Sequence, residues 1–141
     1  MKNWSRALEK YGISRNRCGE LLAFCRQYPE KKRALSDLLG VGAQNYSDMP
    51  HGSDVTDTVY RSVARREWLR KDCDLIEQTA ESIEGGIWRA ALLTNICYNV
   101  AYEKIDSVLM PTARRESYFK ARRQFLIILH EKLMERREIE N

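Results

Sequence analysis

The side chains best suited to do chemistry in this chain lie near its carboxy end. Arg114, Arg115, Ser117, Lys120 and Arg123 fall close together there, interleaved with apolar residues. Guanidiniums fork onto the O6 and N7 edge of guanine, and small hydroxyls reach phosphate oxygens. One good bidentate pair discriminates between bases by about 1–3 kcal/mol. Residues 112–126 hold five basic side chains against the single Glu116, a balance that suits a polyanion. Thr112 stands where it would cap the helix that follows, and free N–H groups at a helix start attract phosphate as well.

Such a group works only if a helix holds it outward. Tyr118, Ala121, Phe125, Ile128, Leu129 and Leu133 follow i, i+3, i+7, i+10, i+11, i+15. That spacing predicts one packed face on a helix running toward Arg137, with the basic residues on or near the opposite side. Residues 101–106 supply a short element and 107–111 a turn. The order short helix, turn, long helix, with contact residues in the first turns of the second helix, matches a helix-turn-helix. The competing reading is an ordinary solvated face, with Glu116, Glu131 and Glu135 pairing the basic residues at i+4 spacing. A second helix–Gly–helix corner spans 11–17, where Arg15 and Arg17 would add auxiliary phosphate contacts; a plain structural corner is its simpler account.

The rest of the chain must position that helix. Few prolines, abundant Leu, Arg, Glu and Ala, and little strand-like alternation predict an all-α fold. A length of 141 residues suits a single helical domain. The predicted order is N-terminal helices over 1–39, a loop over 40–56, central helices over 57–100 and a helix-turn-helix-like unit over 101–137. Trp4, Leu8 and Tyr11 mark a short amphipathic helix, which Gly12 can end in a left-handed conformation. Ser14 can cap the next helix, striped by Cys18, Leu21, Leu22, Cys25 and Tyr28, and Pro29 stops or restarts it. Gly42, Asn45, Ser47, Asp48, Pro50, Gly52, Ser53 and Asp54 read as loop formers. A long helix over 57–84 carries Val55, Val59, Leu69, Cys73, Ile76, Ala80 and Ile83 on a 4-3 repeat. It reads as packed within its own domain, with a dimer seam as the alternative. Gly85 and Gly86 end it, and Trp88, Leu92, Leu93, Ile96, Cys97 and Val100 form a central helix.

Charge is unevenly spread. Residues 1–35 carry nine Lys/Arg against three Asp/Glu, residues 36–110 seven against twelve, and residues 111–141 eight against five. Basic ends around an acidic middle suit a polyanion partner. Cys18, Cys25, Cys73 and Cys97 form no C-x-x-C pair, and the histidines are His51 and His130. Small buried thiols are expected, with no zinc site and no other metal or cofactor. The sequence shows no signal peptide and no apolar run long enough to span a bilayer, so a cytoplasmic protein without a membrane partner is expected. There is no Walker loop and no G-x-S-x-G motif. Asp48, His51 and Asp54 make the one tight acid–histidine group, and short loops of this kind are usually turn formers. An enzyme is the least expected class.

The string from Arg114 to Phe125 resembles the C-terminal signature of small phage and prophage proteins of Gram-positive bacteria, the RinA-like and ArpU-like transcriptional regulators. Their tails are similar to region 4 of sigma factors. The loop from Asp48 to Asp54 resembles a Met-Pro-x-Gly loop ahead of the long helix in many of them, and the segment from Phe24 to Glu30 is similar to phage-encoded sequences. Sigma-like relatives have a longer first helix in the reading unit than residues 101–105 provide. The resemblance implies transcriptional control through double-stranded DNA, with Arg114, Arg115, Ser117 and Lys120 at the helix start. RNA polymerase and a second copy of the chain are the further partners to consider. The alternative is a phage protein–protein adaptor, using the acidic long helix and the loop from Met49 to Gly52, or a small terminase-like packaging component.

Overall fold

The computed structural model describes the backbone of residues 6–45 and 53–140, and the side chains of 6–38, 61 and 63–139. Among these residues there are helices and turns and no strand, so the fold is all-α as the sequence predicts. The α-helices are α1 (Arg15–Arg26), α2 (Tyr28–Asn45), α3 (Ser53–Ser82), α4 (Arg89–Leu92) and α5 (Arg115–Glu140). A 3-10 helix, Arg6–Tyr11, precedes α1, and a π-helical turn, Leu93–Cys97, continues α4. Two short 3-10 turns, Tyr102–Lys104 and Ser107–Leu109, lead to α5. The chain forms two compact units: residues up to Gln27 together with those from Leu75 onward, and Tyr28–Asp74.

Local chemistry sets the boundaries in the first unit. Gly12 takes a φ of +79°, a conformation that glycine adopts without a Cβ clash, and the first helix ends there. The Ser14 hydroxyl then accepts the Arg17 N–H at 3.1 Å and caps α1. Past α3, Gly85 and Gly86 are left-handed at +71° and +85° and turn the chain toward Trp88. The core gathers Leu8, Ile13 and Leu21, then Ile76, Ala80 and Ile83 from the end of α3, Trp88 and Leu92, and Tyr118, Phe125 and Leu129 from α5. The stripe predicted on α5 is buried at Tyr118, Ala121, Phe125 and Leu129, but Ile128 and Leu133 are half-buried while Arg122 and Leu126 are buried. The packed face is therefore turned toward Arg122. That turn decides where the basic residues point.

In the second unit Pro29 restarts the chain. It lies in the first turn of α2, where its missing N–H leaves no intrahelical bond unmade. The Lys31 ammonium meets the Asp72 carboxylate at 2.7 Å, with Asp72 buried. Removing one partner of such a pair strands a buried charge, at a cost of about 3–5 kcal/mol. The loop predicted over 40–56 is helical at both ends, because α2 runs through Gly40 and Gly42 to Asn45 and α3 begins at Ser53. A helical glycine costs about 1 kcal/mol and does not stop a helix by itself. On α3 the repeat is buried at Cys73, Ile76, Ala80 and Ile83, half-buried at Leu69, and interrupted by the exposed Val63 and Trp68. Trp4, Asp48, Met49, His51 and Gly52 lie outside the described residues.

Tyr118 anchors α5 in the first unit. It is fully buried, and its hydroxyl donates to Asn95 Oδ1 at 2.6 Å. The Asn95 amide in turn donates to the Val100 carbonyl at 2.9 Å. Trp88 meets the Tyr118 ring edge-on at 5.9 Å, and the Tyr102 ring lies 5.3 Å away. Burial pushes the phenol pKa up, so the hydroxyl stays a donor at every ordinary pH. Replacing it leaves the half-buried Asn95 Oδ1 without this donor. Tyr118→Phe is expected to destabilise the protein by about 1–3 kcal/mol in urea unfolding; an unchanged midpoint would show that the bond carries no net stability.

Candidate nucleic-acid interface

The approach to α5 differs from a helix-turn-helix. The first helix expected at 101–105 is the single 3-10 turn Tyr102–Lys104, followed by a second such turn, Ser107–Leu109. Asp106 Oδ1 accepts the Val108 N–H at 3.0 Å, a side-chain bond that favours a turn over a continuing helix. Thr112 does not cap α5. Its hydroxyl accepts the Arg114 N–H at 3.3 Å, and the Arg114 carbonyl takes the first helical bonds, from Ser117 and Tyr118. Thr112 thus holds the lead-in turn, and the helix opens at Arg115.

The five predicted contact residues do not share one face. Arg114 and Lys120 are exposed, Arg123 and Ser117 are half-buried, and the first two together with Arg123 make no ion pair among the described residues. At 3.6 residues per turn, Glu116, Lys120 and Arg123 point one way, while Arg115, Phe119 and Arg122 line the flank beside them. Arg115 is held on that second flank. Its Nη1 donates to Glu103 Oε1 at 2.9 Å, and its guanidinium lies 4.9 Å from the ring centroids of both Tyr102 and Phe119. The ion-paired side chains are 58% and 66% exposed, so the pair itself contributes about 0–1 kcal/mol. Arg115, expected on or near the side opposite the packed face, lies instead on the flank beside it: the turn of the packed face toward Arg122 swings it onto the aromatic corner.

Sequence reasoning passed over the concavity that this arrangement creates. A cleft of about 610 Å³ opens beside α5, with Arg26, Arg115 and Arg122, Asn99, Tyr102 and Phe119 among its walls. Arg26 ends α1, and Arg122 interrupts the apolar stripe next to Ala121. An arginine at a stripe position was the one available signal. Among the described residues no group of three or more His, Cys, Asp or Glu side chains gathers as a metal site. The four cysteines are buried and none is in a disulfide, and burial pushes the Cys18 thiol pKa up against the pull of Arg122. A buried thiol with a raised pKa is a poor nucleophile.

Of the two auxiliary residues, Arg15 is exposed, whereas Arg17 is used within the fold. Its Nε donates to His130 Nδ1 at 3.0 Å, joining α1 to α5, and its Nη1 lies 3.5 Å from Glu20 Oε1. An accepting Nδ1 requires a neutral imidazole with its proton on Nε2. Burial and then the Arg17 charge lower the His130 pKa below the ordinary 6.5, and Glu131 opposes them. The unfolded chain therefore takes up this proton at higher pH than the folded one. The stability that neutral His130 supplies is complete above 6.5, declines as pH falls below that value and is gone once pH has passed the lower folded-state pKa. The melting temperature should drop between about pH 7.5 and about pH 5.5, and His130→Asn should flatten that drop. Equal drops in the two proteins would remove the contact from the acid response.

No family model, curated protein sequence or solved structure matches this chain.

Proposed function

We propose that this chain is a non-enzymatic protein that binds double-stranded DNA through the opening turns of α5, and that it acts as a transcriptional regulator like the phage proteins its sequence resembles. One observation carries the reading. Arg114, Lys120 and Arg123 present three cations around the start of a long helix, and none of them is drawn into an ion pair among the described residues. Glu116 is the single carboxylate within that stretch. Free cations at this density are what a phosphate backbone requires.

With Arg115 held at the aromatic corner, the contact face is narrower than the sequence suggests. Backbone contacts then outweigh base contacts, so binding is strongly salt-dependent and only modestly sequence-selective. Recruitment of RNA polymerase and pairing with a second copy belong to the regulator reading.

Fluorescence anisotropy on duplex pools tests it. The logarithm of affinity should fall against the logarithm of salt with a slope of about −3, at about −0.9 for each of three phosphates neutralised. The triple variant Arg114→Ala, Lys120→Ala, Arg123→Ala should lose most of that slope, and Glu116→Gln should tighten binding. A wild-type protein indifferent to every duplex at low salt, or a triple variant with full affinity, overturns the reading and leaves the adaptor alternative.

A further inference from the structure

The cleft beside α5 has a chemistry that duplex binding does not use. Three guanidiniums, from Arg26, Arg115 and Arg122, line it together with one carboxylate, that of Glu103. They come from three separate parts of the first unit: the end of α1, two turns of α5 and a 3-10 turn. Arg122 is 7% exposed, so one of these charges sits deep rather than at the rim. A guanidinium keeps its charge at any accessible pH. The walls add flat apolar surface, because the Tyr102 and Phe119 rings lie 5.4 Å apart and are tilted by 44°. The Arg115 guanidinium carbon lies 4.9 Å from the centroid of each ring. Guanidinium planes and aromatic faces are the surfaces on which nucleic-acid bases stack. The volume, about 610 Å³, is far more than one inorganic ion needs and falls within the range of sites for small organic ligands.

We propose that this cleft binds a nucleoside monophosphate, either free or as the 5′-phosphorylated end of a single strand. The phosphate lies among the arginines and the base lies on the Arg115–Tyr102–Phe119 stack. Glu103 marks the position of the anion: its carboxylate oxygen, 2.9 Å from Arg115 Nη1, stands where a phosphate oxygen would bind. Carboxylate and phosphate then compete for the same donors, and phosphate, with more oxygens, can also reach Arg26. Asn99 takes a left-handed φ of +56° at the bend that forms one edge of the cleft, and its carboxamide adds a donor and an acceptor there. Arg114, Lys120 and Arg123 do not line this cleft, so it stands or falls independently of duplex binding.

Isothermal titration with AMP, adenosine, and short single strands bearing a 5′-phosphate or a 5′-hydroxyl tests the proposal. AMP or the 5′-phosphorylated strand should bind, and adenosine and the 5′-hydroxyl strand should bind at least about tenfold more weakly. Binding of AMP but not the strand assigns a free nucleotide, and the converse assigns a strand end. Arg26→Ala should weaken binding by about tenfold, and Glu103→Gln should strengthen it several-fold by removing the internal competitor. Both side chains are exposed, so the fold should survive these changes, and circular dichroism melts check that it does. Buried Arg122 is left intact for the same reason. Failure of both phosphorylated probes to bind, equal binding with and without the phosphate, or weaker binding in the Glu103→Gln protein overturns the assignment.

Discussion

Burying Tyr118 sets the rotation of α5, and the surface chemistry follows from that rotation. The phenol oxygen needs a partner once water is excluded, and Asn95 on the π-helical turn provides it at 2.6 Å. Asn95 is committed in turn to the Val100 carbonyl, which closes the bend made by left-handed Asn99. One buried tyrosine thereby joins the long helix, the end of α4 and the bend after it. Trp88 and Tyr102 pack against the same ring, so α5 cannot turn about its axis without opening several contacts at once. The π turn fits this role: its extra residue changes the register along α4 and delivers Asn95 to the hydroxyl.

Helical geometry then divides the basic residues. With Tyr118 inward, Arg115 and Phe119 fall on the flank facing the 3-10 turn Tyr102–Lys104, where two rings and Glu103 receive the guanidinium. Lys120 and Arg123 fall on the far side with Glu116. Two cationic surfaces of different character result. One is made of dispersed charges, suited to a backbone that carries phosphates at intervals. The other is concave and concentrates three guanidiniums against flat rings, suited to a single phosphorylated group.

Much of this fold is legible in the sequence wherever a local rule decides it. Ser14 caps α1, Gly12 and the Gly85–Gly86 pair end helices in left-handed conformations, and Tyr118, Ala121, Phe125 and Leu129 are buried at helical spacing. Sequence reasoning fails where two local signals compete or where a partner is distant. Thr112 has a capping side chain, but it bonds two residues ahead and so stabilises a turn instead. Gly40 and Gly42 suggest a loop, yet the helix continues through them to Asn45. The candidate site is the least legible part. Arg115 belongs by sequence with Arg114, and only the tertiary placement of Tyr102 and Glu103, twelve and more residues upstream, takes it away. Arg26 enters the same cleft from α1, a separation that no periodicity in the chain announces.

The energetics of Arg115 show why its present partner need not be its strongest. An ion pair as exposed as Arg115–Glu103 contributes about 0–1 kcal/mol, because water and salt screen both charges. Stacking on two rings adds about 0.5–1 kcal/mol at an exposed site. It does so whichever anion meets the guanidinium edge. The rings therefore orient Arg115, and Glu103 only neutralises it. A side chain whose direction is fixed by packing and whose charge is weakly satisfied is preorganised: an incoming anion gains the oriented donors without bearing the cost of ordering them. The deeper Arg122 is fixed in direction as well, since its place in the packed face of α5 leaves it little freedom to lose.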